Sequence, residues 1–134
     1  MFVTGACHCG QITFEAEIGN GDVAVCHCAD CQKQSGSVFR ANVSAPAAHF
    51  RLLRGTPKIY IKTADSGARR AHAFCPDCGT PIYATDPVAP KAYSLRIGTL
   101  DQRYELKPPK RQIWCDSAQS WALPSSGERH AKQP

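Results

Sequence analysis

Between Gln11 and Ile18 apolar and polar residues alternate, with Ile12, Phe14, Ala16 and Ile18 on one side and Thr13, Glu15 and Glu17 on the other. Successive side chains of an extended backbone point to opposite faces, so this segment is predicted to be a strand with one buried face. Gly19 to Asp22 are turn formers, and "VAV" (23–25) is predicted as a second short strand, forming a hairpin with the first. That hairpin would place the stretch "ACHCGQ" at one end and "CHCADCQ" at the other.

Further along, "QKQSG" suits a single helical turn stopped at Gly36. "SVFRANVSA" and "KIYIKT" are predicted strands, the latter with alternating Ile59 and Ile61, and "HFRLLRG" between them is predicted to be a connection ending at Gly55. More β segments are expected at "RRAHAF", "PIYAT", "AYSLRIGTL" and "RQIWC". Ten Gly and ten Pro punctuate these short runs, and nowhere does an apolar stripe of helical period last a dozen residues. The fold class expected is mainly β, with antiparallel sheets and little helix. "PSSGERHAKQP" lacks apolar spacing, so residues 1–123 are expected to form a single domain and 124–134 a flexible tail.

With 134 residues, 43% hydrophobic and 20% charged, the chain has the balance of one globular domain. No stretch has the pattern of a secretory signal or the length of a membrane span, and a cytoplasmic location is the expectation. Eight cysteines in a reducing compartment point to metal or catalysis rather than disulfides. A net charge of +5 would suit an anionic partner. However, the basic residues are scattered (Arg51, Arg54, Lys58, Lys62, Arg69, Arg70, Lys107, Lys110, Arg111) without an aromatic ladder. That scatter fits a solvated surface better than a nucleic-acid site.

The cysteines fall into four blocks. Cys75-Pro-Asp-Cys78-Gly79 has the two-residue gap of a zinc knuckle, in which a tight turn aims both sulfurs at one ion and Gly79 can take a positive φ. Cys7 and Cys9, two apart, project from one face of an extended segment. A closed tetrahedral zinc site needs four ligands, so these two pairs together make one structural site. Cys26, Cys28 and Cys31 form a three-thiolate set from a single stretch, which leaves a coordination position open for an exogenous ligand. Cys115, alone in "IWCDS", is expected to be a buried thiol, with a role as fourth ligand to the open set as the alternative.

The motifs "GACHCGQITFE", "CHCADCQKQSGSVF", "FCPDCGTPIY" and "IWCDSAQSW" resemble those of the glutathione-dependent formaldehyde-activating enzymes, a family that includes centromere protein V-like proteins. The resemblance implies a zinc-stapled β-tent (Mss-four-like) fold. It also implies two zinc ions per chain, a structural one at Cys7, Cys9, Cys75 and Cys78 and a labile or catalytic one at Cys26, Cys28 and Cys31. The implied activity is that of a carbon-sulfur lyase, which joins glutathione to formaldehyde to give S-hydroxymethylglutathione. Cys115 departs from the family pattern, which more often has an apolar residue before "DS".

Partners expected on this basis are a small thiol and an aldehyde, with no membrane. His27, between two ligands, is expected to point away from the metal, and His8 likewise. Asp30, Gln34 and Ser35 are near enough to line the pocket, and Arg69, Arg70 and Lys33 can hold the carboxylates of an anionic thiol, although a solvated role is the simpler account of these three. The competing reading is a noncatalytic zinc module that binds protein or nucleic acid.

Overall fold

A computed structural model describes residues 1–134. In chain order its strands are β1 (Phe2–Ala6), β2 (Thr13–Glu17), β3 (Ala24–Cys26), β4 (Arg40–Pro46), β5 (Phe50–Arg54), β6 (Lys58–Thr63), β7 (Arg69–Phe74), β8 (Pro81–Thr85), β9 (Ala92–Arg96), β10 (Arg111–Ile113) and β11 (Glu128–Arg129). The one α-helix, α1 (Ala29–Ser35), joins β3 to β4 and ends at Gly36 in the left-handed conformation. The fold is mainly β, and no helix is long and apolar enough to cross a membrane.

The strands form two sheets, ordered β1-β2-β5 and β11-β10-β3-β4-β9-β8-β7-β6. The alternation read in residues 11–18 holds, since Ile12, Phe14, Ala16 and Ile18 are all buried. The expected hairpin is overturned, because β2 pairs with β1 and β5 while β3 pairs with β4 and β10. The turn at residues 19–22 carries the chain from one layer to the other, which lets Phe14 and Val25 both be buried. The connection expected at "HFRLLRG" is in fact β5, held by its backbone ladder to β2.

Apolar side chains of the two layers meet in one core, with Val3, Phe14 and Ala16 from the small sheet and Val43, Ala45, Ala73, Tyr83 and Leu95 from the large one. Phe50 stacks on Tyr93 at 4.3 Å between ring centroids and meets Phe14 and Tyr83 edge-on or tilted. β1 approaches so closely that a Cβ on Gly5 would lie 2.3 Å from Phe14 Cζ, so only glycine fits there.

The opposite face of the large sheet is polar, and register determines what it carries. Cys26 pairs with Arg40, Asn42 with Arg96, Ser94 with Ala84, Ala84 with His72, and Lys62 with Arg70. Directly paired residues of neighbouring antiparallel strands share a face, so this row lies on one side, away from Val43 and Leu95. Helix α1 covers it, tied down by Arg40 to Gln34 Oε1 at 2.8 Å and by Lys62 to Asp30 at 2.8 Å.

The tail, expected to be loose, makes backbone pairings with the large sheet. β11 pairs in parallel with β10, and the amides of Trp114, Cys115 and Asp116 donate to the carbonyls of Lys132, His130 and Ala131.

Candidate metal centres

Cys7, Cys9, Cys75 and Cys78 converge, their sulfurs all within 4.8 Å of one another. Cys7 Sγ lies 3.6 Å from Cys9 Sγ, which lies 3.7 Å from Cys75 Sγ. These separations are far too long for disulfide bonds of about 2.05 Å. They match the spacing of about 3.8 Å that four zinc–sulfur bonds of about 2.3 Å impose at tetrahedral angles. Both turns are closed by backbone hydrogen bonds, Gly10 N–H to Cys7 O at 3.1 Å and Gly79 N–H to Cys75 O at 2.9 Å. Gly79 has the expected positive φ, 78°. Ile12 N–H donates to Cys7 Sγ at 3.3 Å, and the Thr80 hydroxyl, 3.2 Å from Cys78 Sγ, is the main reason that the Cys78 pKa falls to about 5. Soft thiolate donors, two of them from buried residues, suit zinc.

Cys26, Cys28 and Cys31 also gather within 4.8 Å, and that group stops at three. Cys26 ends β3, Cys28 caps α1, and Cys31 sits in its first turn, with its N–H donating to Cys28 Sγ at 3.2 Å. Of these three, Cys31 is the thiol that most readily ionises. The neighbouring Cys26 thiol, and then the guanidiniums of Arg40 and Arg96, lower its pKa to about 6 against the opposing effect of burial. Cys26 is pushed up correspondingly. Cys115 belongs to neither group. It is half-buried in a 3-10 turn rather than buried in a strand as expected, and its thiol faces Gln112 O at 3.7 Å.

The charged residues beside the open group are mostly not those the sequence suggested. Lys33 and Arg69 are exposed, and Arg70 is half-buried on the polar sheet face. Sequence reasoning passed over Arg40 and Arg96, each 8% exposed, and His72, whose Nδ1 lies 3.2 Å from an Arg96 nitrogen. Arg96 also donates to Asn42 Oδ1 at 2.6 Å. Of the residues expected near the pocket, Gln34 receives Arg40, Ser35 donates to Gln32 O and Phe39 O, and Asp30 pairs with Lys62.

Lys62 lowers the Asp30 pKa, and Asp30 raises that of Lys62. A depressed carboxyl pKa contributes stability above about pH 4 that is lost on acidification, and a raised ammonium pKa contributes below about pH 10. Side-chain exposures of 63% and 25% make it a screened surface pair. Asp30→Asn is therefore expected to cost at most about 1 kcal/mol at pH 7, and nothing measurable near pH 3, in urea titrations at low salt.

His27 is fully buried and points away from the cysteines, with Nε2 at 2.9 Å from Gln112 Oε1. Gln112 Nε2 donates to the carbonyls of Pro124 and Ser126, so its oxygen must accept, which puts the imidazole proton on Nε2. Gln32, in α1, bridges the carbonyls of His27 and Ser117 with its Nε2.

A cleft of about 530 Å³ is lined by His8, Thr80 and Pro81, chain neighbours of the four-sulfur group, and by Ser35, Phe39, Arg40 and Arg96, with no cysteine on its wall. His8, expected to point away from the metal, is exposed on its wall.

The model of the family described as glutathione-dependent formaldehyde-activating enzyme matches residues 2–117. Among solved structures, a Rhodobacter sphaeroides protein that was a structural-genomics target is similar in fold, with a TM-score of 0.61 at 24% identity over 79% of this chain and 97% of that one. A match that takes in both sulfur groups, the helix between β3 and β4 and the knuckle after β7 places this chain in the family of glutathione-dependent formaldehyde-activating enzymes.

Proposed function

We propose that this protein joins a thiol such as glutathione to a small aldehyde, giving S-hydroxymethylglutathione when the aldehyde is formaldehyde. The observation that carries the proposal is a sulfur group that stops at three, next to a cleft with room for a second molecule. A closed structural site takes four ligands, whereas three protein ligands leave a position for substrate. A zinc ion held by Cys26, Cys28 and Cys31 would supply the Lewis acidity that keeps an incoming thiol deprotonated at neutral pH.

The chain's own residues do the rest. The cleft holds thiol and aldehyde side by side, which removes most of the entropic cost of their meeting. A sulfur lone pair forms the new carbon–sulfur bond, the carbonyl π pair moves to oxygen, and the proton given up by the thiol is balanced by one taken up on that oxygen. Nothing is oxidised or reduced. Arg40 and Arg96 favour negative charge on the reacting side of the cleft.

The test uses metal content, a spectroscopic probe and turnover. Cys31→Ser is expected to carry one metal ion fewer than the parent, and Cys115→Ser the same number. In a cobalt-substituted chain, glutathione should change the sulfur-to-cobalt charge-transfer band, and NMR exchange should show S-hydroxymethylglutathione forming faster than without protein. If Cys115→Ser releases a metal ion and glutathione alters neither band nor rate, the noncatalytic zinc module takes its place.

A further inference from the structure

Every ionisable side chain on the cleft wall is basic: Arg40, Arg96 and His8 line it, without an aspartate or glutamate. Both guanidiniums are buried, and neither takes part in the chain's ion pairs. A buried cation without a counter-ion is costly, so the fold tolerates this pair only if negative charge is supplied.

Behind the cleft wall, donors also outnumber acceptors. Arg40 gives one hydrogen bond to Gln34, and Arg96 reaches Asn42, Ser94 O and His72 while its Nε is buried without a partner. His72 accepts at Nδ1, so its Nε2 carries a proton, and that N–H too is buried and unpartnered. Burial, followed by Arg40 and Arg96, holds the His72 pKa down at about 4, so His72, which lies behind Arg96 and not on the cleft wall, supplies no counter-charge to it. A cleft of about 530 Å³ lies within the size range of sites for drug-sized ligands and far exceeds what a one-carbon aldehyde fills.

We propose that Arg40 and Arg96 form a carboxylate-binding site on the cleft wall and make this protein selective for thiols that carry a carboxylate. The planar fork of a guanidinium matches the two oxygens of a carboxylate, and burial strengthens that contact. This site rests on the thiol-binding reading above, yet it can be tested apart from turnover.

Calorimetric titration of the zinc-loaded chain would compare glutathione, its diethyl ester, and S-methylglutathione, which lacks a free thiol but keeps both carboxylates. The parent should bind glutathione about tenfold or more tightly than the ester, and should also bind S-methylglutathione. In Arg40→Gln the preference for acid over ester should disappear, in Arg40→Lys it should survive in part, and zinc content should be unchanged in both. Acid and ester binding equally well to the parent would overturn the proposal even if no variant folds. So would an Arg40→Gln chain that loses zinc while keeping the preference. Carboxylate-dependent binding without turnover supports the site and sinks the thiol-addition reading, and turnover with equal acid and ester affinity does the reverse.

Discussion

Cys75→Ser is expected to leave the chain without a cooperative fold at 25 °C, whereas Cys31→Ser should fold like the parent. Cys75 is fully buried just after β7, and its sulfur meets that of Cys9, 66 residues earlier in the chain. A metal ion there ties the segment after β1 to the turn between β7 and β8, so it joins the two layers. Structural zinc sites contribute about 10–16 kcal/mol, which equals or exceeds the net stability of about 5–15 kcal/mol of a typical domain. Losing one of four ligands leaves three thiolates without their cation, Cys7 buried, Cys78 half-buried and Cys9 exposed, a loss that apolar packing in a domain of this size does not offset. Cys26, Cys28 and Cys31 span only six positions, so a metal ion there closes no long loop and its loss should be felt mainly in activity. Far-UV circular dichroism, urea titration and metal per chain would compare the two variants. A Cys75→Ser chain unfolding at the parental urea midpoint would show that the four-sulfur group is not what staples the layers.

The grouping of the sulfurs into a set of four and a set of three was legible because ligand spacing is local: a two-residue gap and a one-residue gap each fix which sulfurs can meet one ion. The inward side chains of β2 were legible for the same reason, as period two is read within eight residues. β5 was not, because Arg51 to Arg54 are all exposed, so the segment has no buried face to alternate, and only its ladder to β2 makes it a strand. β1 was missed too, where Gly5 interrupts a short run for the sake of Phe14. The least visible features were Arg40, Arg96 and His72. Each reads in sequence as an ordinary polar residue of a strand, and only the registers of β3, β4, β9, β8 and β7 set them on one face with Cys26. Such register depends on pairings tens of residues apart, which spacing cannot reveal.

The tail escaped the hydrophobic pattern because what holds it is backbone and amide hydrogen bonding rather than apolar burial, and the largest effect there is expected at Gln112. Gln112→Leu would leave His27 Nε2–H and the Ser126 carbonyl without their partner and take one of two donors from the Pro124 carbonyl. Each buried group stranded in this way costs about 1–3 kcal/mol, and His27 and Gln112 are both fully buried, so a total loss of about 3 kcal/mol is expected. Arg129→Ala also removes a donor to Pro124 O, but from an exposed residue, and should cost less than about 0.5 kcal/mol. The consequence reaches the open sulfur group, since His27 lies between Cys26 and Cys28 and its carbonyl is held by Gln32 of α1. With His27 free to move, the three sulfurs lose their fixed spacing, while the four-sulfur group, built on other turns, keeps its own. Gln112→Leu should therefore unfold at lower urea and give up one metal ion to a chelator faster than the parent, the second ion being held as before. Amides 114–116, bonded to the tail, should exchange faster with solvent. Residues 118–134 lie beyond the family match, and unchanged metal retention in the variant would show that this segment is mere covering.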